Sequence, residues 1–532
     1  MELTSIADES ARGGFALIFG NAVSAILSAI SVILIARLLG PSQYGVYSLA
    51  FVVPAIFVSL ADFGVSPALT RFTASFRAEQ KMSKVASMIN SGILFTSLTS
   101  VLAFAVAYGT ARPLAAIVLH RTDIGFLVAA ASIVIIFQGL WNLSYNGLVG
   151  VGRMEGSATI TVLRDLVKTL LCPFLIVAGF GIFGAIGGQV SAWMLPAFLG
   201  VYFLFQVREH LGQRQEKLTM KAFKGDIRTM TSFGIPLYLG TLLGTMFSQY
   251  QTIVLAFFTS NAQIGNFEAA LSFGTLIAVV ATPVTLAIFP AFSKLDLQTR
   301  TQDLGSVFEH SIRYTTLLIV PVAVVIAILS TSLVQIVYGN AYTSAPDYLS
   351  LYAGVYLLTT IGYQVNGAFL GGVGKTKDCF KVSAVQMASF IPLAPLMTSL
   401  LGVIGLLIAI ILASLISTTF SLHLARGYGM RIDFRASARI TAAALTAALP
   451  TLPIVYLSPL SNLLNVLTVA AIYLPLYLTL APLCGAVGRE DIELLGPILS
   501  RIRLLNPLVR LILAHENRML RLRYRLGQRM AN

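Results

Sequence analysis

The sequence predicts an all-α integral membrane protein of about fourteen transmembrane helices. Three observations carry that prediction. First, 56% of the 532 residues are hydrophobic, only 11% are charged, and mean hydropathy is +0.83. A soluble core cannot hide that much apolar surface. Second, apolar stretches of about 20 residues, enough to cross a bilayer, recur between short Gly-, Pro- and charge-bearing breaks. Third, the chain repeats itself. Gln43-Tyr44-Gly45-Val46-Tyr47 returns in degraded form at Gln263-Ile264-Gly265-Asn266-Phe267. The same 220-residue offset pairs Gly14 with Gly234, Gly20 with Gly240, Ile33 with Ile253 and Ala36 with Ala256. Asn146-Gly147 and Asn366-Gly367 echo each other too, each followed by a glycine-rich exit, Gly150-Val151-Gly152-Arg153 and Gly372-Val373-Gly374-Lys375.

In chain order, the expected spans are 14–39, 44–67, 86–109, 124–149, 157–179 and 181–206, then 232–258, 263–291, 310–338, 347–371, 379–400 and 402–425, with a final pair at 439–457 and 461–486. The thinnest breaks, at 179–181 and 400–402, require Gly turns. These spans define an N-terminal six-helix lobe (1–206), a cytoplasmic linker (207–231), a C-terminal six-helix lobe (232–425), an extra helix pair (426–486) and a basic amphipathic tail (487–532). Six spans per lobe is even, so the repeats are parallel, as in carriers whose lobes rock around a central path. The two repeated turns then read as hinges of the rocking lobes.

Charge orients the spans, because short cytoplasmic loops retain Lys and Arg. Even-numbered loops hold Arg71, Arg77, Lys81 and Lys84, then Arg153, then the cations from Arg208 to Arg228, then Lys294 and Arg300, Lys375 and Lys377, and Arg426, Arg431 and Arg435. Odd-numbered loops hold little beyond Arg112 and Arg121. Both termini are therefore expected on the cytoplasmic side. The net charge of +14 is mostly this topology signal and does not point to nucleic acid. No cleavable signal peptide is read at Met1–Ser10. Cys172, Cys379 and Cys484 are scattered, and the five histidines lack metal-ligand spacing, so no disulfide framework, metal site or cofactor is expected. The tail alternates apolar residues with Arg501, Arg503, Arg510, Arg518, Arg521, Arg523, Arg525 and Arg529, the pattern of a helix on an anionic membrane surface. No phosphate loop, nucleophile elbow or paired-carboxylate centre is present, and the chain is not expected to be an enzyme.

Ala36-Arg37-Leu38-Leu39-Gly40-Pro41-Ser42-Gln43-Tyr44-Gly45-Val46-Tyr47-Ser48-Leu49-Ala50 and Asp62-Phe63-Gly64-Val65-Ser66-Pro67-Ala68-Leu69-Thr70-Arg71-Phe72 resemble the opening of the polysaccharide-transport flippases of the multidrug/oligosaccharidyl-lipid/polysaccharide exporter superfamily. The resemblance runs over nearly the whole chain. It implies alternating access through a cationic cavity, with a lipid-diphosphate-linked oligosaccharide moved from the cytoplasmic to the outer leaflet of the cell membrane. The implied partners are a polyprenyl-diphosphate-linked glycan, membrane lipids and other glycan-assembly proteins, with no nucleic acid. One departure stands out. Where relatives often carry an acidic residue midway along helix seven, this chain reads Ser248-Gln249-Tyr250-Gln251.

Ionisable groups inside the bilayer cost about 2.5–3.5 kcal/mol on insertion scales and usually face a cavity or a partner. Arg164, Asp165 and Lys168 lie in the fifth span, with Arg164 and Lys168 four apart on one face. Two cations suit a diphosphate; alternatively Asp165 neutralises one while Lys168 snorkels. Arg71 and Arg313 could attract phosphate or merely follow the positive-inside rule. Asn146 and Asn366 could bind sugar or link helices. Asp62, Glu268 and Arg37 are candidate gating or coupling residues: Glu268 as an outer gate or coupling carboxylate, Asp62 against a local helix-end or ion-pair role, and Arg37 against a snorkelling anchor. A multidrug exporter of the same fold is the alternative function, with an integral-membrane glycan polymerase or glycosyltransferase behind it.

Overall fold

The computed structural model describes residues 2–210, 219–277, 292–293, 301–457, 460–488 and 513–523. Within these residues every regular element is helical. Thirteen of the expected spans are described throughout their apolar length, and the eighth is described to Ile277. The remainder of the eighth span, most of the tail and part of the linker lie outside the described residues.

Several spans run on from their neighbours and are separated only by glycine geometry. The helix Glu2–Asp62 bends at Gly40 (φ 69°, ψ 170°), just before Pro41, and so contains spans one and two. Gly179 (φ 96°) and Gly181 (φ 51°, ψ −128°) divide spans five and six. Gly402 (φ 60°, ψ −138°) divides eleven from twelve within Thr376–Gly427. A Cβ disfavours all of these conformations. The expected break at 400–402 and that at 179–181 are thus real, and two prolonged helices conceal four spans.

The seventh helix differs from expectation at its start. It runs Met220–Phe258, with the Thr219 side chain accepting from the Ala222 amide as its N-cap. Residues 220–231 of the expected linker therefore belong to this helix, and 207–210 continue the helix Gly181–His210. A helix that emerges from the bilayer stays helical when a cap satisfies its first amides.

The repeat is visible in backbone detail. After span four, Val151 (φ −85°, ψ 2°) and Gly152 (φ 81°) lead to Arg153 (φ −87°, ψ 54°). After span ten, Val373 (φ −83°, ψ 8°) and Gly374 (φ 75°) lead to Lys375 (φ −83°, ψ 54°). Arg153 N donates to Leu148 O at 2.8 Å, and Lys375 N to Leu370 O at 2.8 Å. Both are six-to-one closures of a helix C-terminus through a left-handed residue. The same closure recurs as Lys81 N to Phe76 O, Met430 N to Ala425 O and Ala486 N to Ala481 O. These five stand at the basic-loop end, where cations complement the negative helix termini, whereas a sixth, Tyr363 N to Leu358 O through Gly362 (φ 91°), interrupts span ten.

The chain divides into two compact units, Met1–Glu268 and Ala269–Asn532. In the first, Leu69, Ile89, Leu143, Ile160, Leu204 and Met230 share a buried core with Trp141. In the second, the extra helix pair packs an alanine face, Ala443, Ala444 and Ala447, against Val320 and Val324 of span nine and Val469 and Tyr473 of span fourteen. Small side chains allow helix axes to approach closely in lipid. The described part of the tail, 513–523, joins this cluster through Leu513 and Leu520, and Thr479 Oγ1 lies 2.9 Å from His515 Nε2.

Candidate functional site

The charged cluster sits in the middle of the helix Met154–Leu175. Arg164 Nε and Nη2 donate to Asp165 Oδ1 and Oδ2 at 3.1 and 2.7 Å. The Asp165 side chain is only 3% exposed, and Arg164 22%. Ser24 of span one also donates to Asp165 Oδ2. Thr169 adds a second tie between the same helices, donating to Asp165 O and to Leu27 O. The Arg164 guanidinium carbon lies 4.8 Å from the Trp141 ring and 5.0 Å from that of Trp193. These are the only two tryptophans in the chain. They meet edge to face at 5.2 Å, and Tyr145 stacks on Trp141 at 5.4 Å.

Arg164 is thus neutralised by a carboxylate and held between aromatic faces, each worth about 0.5–2 kcal/mol to a cation. Lys168, one turn on, is half-buried and within electrostatic reach of Asp165, Arg164 and Cys172. It makes no hydrogen bond or ion pair with the described residues. Of the two cations on this face, Arg164 is the one paired with Asp165.

The other candidates are distributed. Asp62 closes the helix Glu2–Asp62 and accepts from Ser66 Oγ across the turn at Gly64, a helix-end role. Arg71 is exposed, its guanidinium carbon 4.0 Å from the Phe233 ring. Arg313 donates to the Ala486 carbonyl at 3.2 Å, fastening the end of span fourteen. Asn146 binds Asn142 O and receives Thr70 Oγ1. Asn366 donates to Thr418 O at 3.5 Å. Both asparagines therefore link helices. Glu268 is partly buried and accepts from Thr252 Oγ1 at 3.1 Å. Arg37 is exposed on span one.

Three features escaped sequence reading. Trp193 carried no motif, and its partnership with Trp141 depends on how spans four and six pack. Asp226 looked like part of a solvated linker, yet it accepts from Ser87 Oγ at 2.6 Å and Ser91 Oγ at 2.7 Å in span three. Arg121, one of the few cations in the odd-numbered loops, donates to Asn261 Oδ1 at 3.2 Å and Thr259 O at 2.6 Å. That exception to the charge alternation was the available signal.

A parallel duplication of apolar helices with a cationic cluster at membrane depth defines a multi-pass membrane carrier. Comparison with known proteins narrows the class. The polysaccharide biosynthesis protein family model matches residues 10–296, and the lipid II flippase MurJ model matches residues 157–474. The chain belongs to the polysaccharide biosynthesis protein family, and the lipid II flippase model also covers more than half of it. It is 21% identical over 420 residues to the probable low-salt glycan biosynthesis flippase Agl15 of Haloferax volcanii, covering 78% of this chain and 83% of that one. It is 21% identical over 408 residues to the lipopolysaccharide biosynthesis protein WzxC of Escherichia coli, covering 74% and 76%. Among solved structures, lipid II flippase MurJ in an inward closed conformation superposes with a TM-score of 0.68 at 16% identity, covering 86% of this chain and 97% of that one. An inward-facing multidrug resistance MATE transporter reaches 0.63 at 15% identity, covering 77% and 97%.

Proposed function

We propose that the protein moves a lipid-diphosphate-linked oligosaccharide from the cytoplasmic to the outer leaflet of the cell membrane by alternating access, with both termini cytoplasmic. The observation that carries this reading is the span-five cluster, an ammonium without a partner among the described residues beside a neutralised, aromatic-flanked guanidinium. A desolvated ammonium seeks anionic oxygen. In this reading the diphosphate docks on Lys168 and engages Arg164 as Asp165 gives way, while the lipid tail remains in the bilayer. Arg71 gathers the headgroup at the cytoplasmic mouth. Arg313, Asn146 and Asn366 keep the surrounding helices in register. Glu268 and Arg37 act at gates near the span ends, while Asp62 holds the turn at the end of span two. The chain works as a carrier rather than an enzyme, with no cofactor, alongside glycan-assembly proteins that supply and use its substrate. Membership of a family with glycan flippases among its relatives supports the substrate class.

The test is a proteoliposome assay that follows a labelled polyprenyl-diphosphate-linked glycan and a cationic dye in parallel. Movement of the glycan and not the dye is expected. Movement of the dye alone would favour the exporter reading suggested by the MATE-like fold.

A further inference from the structure

The turns at Gln43–Tyr47 and Gln263–Phe267 were expected as separate hinges, but they lie against each other. A Cβ on Gly45 would stand 1.9 Å from Asn261 O and 3.0 Å from Gly265 N. A Cβ on Gly265 would stand 1.9 Å from Pro41 O and 3.1 Å from Gly45 N. Under the 220-residue offset, Gly265 is the mate of Gly45 and Asn261 the mate of Pro41. Each glycine therefore meets the mate of the other's neighbour, the reciprocity of an isologous contact. A local two-fold axis passes between the two α-carbons.

The crowding atoms belong to backbone, so no rotamer change can relieve them, and only hydrogen fits at either Cα. The partner turn is also rigid. Ser260 N donates to Gln263 Oε1 at 3.1 Å and Gln263 N to Ser260 Oγ at 3.4 Å, a capping box. Arg121 fixes Asn261 and Thr259 from the loop after span three. At the basic-loop end, Gly64 and Gly234 approach just as closely, with a Cβ on Gly234 falling 2.0 Å from Gly64 O. Those two are not mates. The mate of Gly234 is Gly14, which has open space around its Cα. The two-fold closure belongs to one end alone.

We propose that the Gly45–Gly265 crossing is the outer seal of the translocation path, closed by backbone contact and opened by separation of the two turns. Its equivalence under the repeat makes either glycine sufficient to break it. The proposal rests on the carrier reading and not on the identity of the substrate.

The seal is tested with spin labels on the exposed Ser42 and its mate Ala262, as Ser42→Cys and Ala262→Cys, with Cys172→Ser, Cys379→Ser and Cys484→Ser in the background. The full chain is placed in proteoliposomes and inter-label distances are measured without substrate. The parent should give a short, narrow distribution. Gly45→Ala and Gly265→Ala should each shift it to longer distances by a similar amount, and Gly64→Ala should leave it unchanged. A parental distribution in either folded variant, or a shift in only one, overturns the proposal. If the alanine variants fail to fold, the parent cysteine pair is bridged with a short bifunctional thiosulfonate. Bridging should abolish glycan movement and a reductant should restore it, whereas unchanged movement by bridged protein overturns the seal. The distance measurement involves no glycan, so its failure is distinguishable from failure of the substrate assignment.

Discussion

Replacing Asp165 and replacing Lys168 should have opposite consequences, although both are ionisable groups on one turn of one helix. Asp165 accepts the Arg164 fork at 3.1 and 2.7 Å and the Ser24 hydroxyl, with its own side chain 3% exposed. Removing one partner from a buried ion pair costs about 3–5 kcal/mol, because the other charge is left uncompensated. Arg164 is 22% exposed and keeps its two tryptophan faces, so the lower part of that range applies, about 3–4 kcal/mol. For a unit of this size that corresponds to a fall in Tm of roughly 5–10 °C. Asp165→Ala should show it by thermal unfolding in detergent, and Arg164→Met/Asp165→Ala should recover most of the loss, since neither charge then remains.

Lys168 has no such partner among the described residues. Lys168→Met should change stability by less than about 1 kcal/mol, yet abolish glycan movement in proteoliposomes. The reasoning is refuted if Asp165→Ala unfolds like the parent, if the double variant costs the sum of its singles, or if Lys168→Met moves glycan at the parental rate.

Asp226→Ala should lower stability by about 1.5–3 kcal/mol, the value of hydrogen bonds to a charged acceptor, because Ser87 and Ser91 both lose their partner. Thermal unfolding measures that loss, and Ser87→Ala alone should give about half of it. Asp378, at the start of the helix Thr376–Gly427, is held below its ordinary value first by the hydrogen bond from Lys381 and next by that from Tyr428. Its contribution should be fully present above about pH 4 and drain away as pH falls through the lowered folded value. Thermal unfolding against pH should show that acid-side slope shallower in Asp378→Asn. Cys484 is exposed at the end of span fourteen, just after the helix Asn462–Leu483. With Cys172→Ser and Cys379→Ser, an impermeant maleimide should label it in inside-out vesicles and leave it unlabelled in right-side-out ones, and the reverse result would invert the topology.

What the sequence made legible was what depends on local chemistry. Composition and spacing are sufficient for span positions, since a bilayer demands satisfied backbone over a fixed length. Glycine at 179, 181 and 402 foretold breaks because few other residues accept those dihedrals. The start of helix seven was misjudged because charged residues from Arg208 to Arg228 suggest a solvated loop, whereas a capped helix tolerates the same charges outside lipid. In the site, Arg164, Asp165 and Lys168 were readable as costly groups in an apolar run. Which cation the carboxylate would choose was not, because that choice depends on Ser24, Trp141 and Trp193, brought in by three other spans.

The same contrast bears on how a duplicated chain acquires direction. Its backbone is symmetric at Gly152 and Gly374 and across Gly45 and Gly265. Its charge is not. At the 222-residue offset that aligns Gly152 with Gly374, Arg164, Asp165 and Lys168 face Gln386, Met387 and Phe390. One copy therefore presents a cluster able to meet an anion, and the other presents none. A scaffold that opened symmetrically and bound symmetrically would treat both halves of its path alike. In the proposed mechanism a seal built on equivalence is joined to a binding surface built on difference, so a charged headgroup would have one lobe to hold while an apolar tail would need none. Moving the cluster to the second copy, by Gln386→Arg, Met387→Asp and Phe390→Lys with the original three neutralised, should shift glycan protection of an engineered cysteine from span five to span eleven. Protection that stayed on span five would place the headgroup's ligands elsewhere in the first unit.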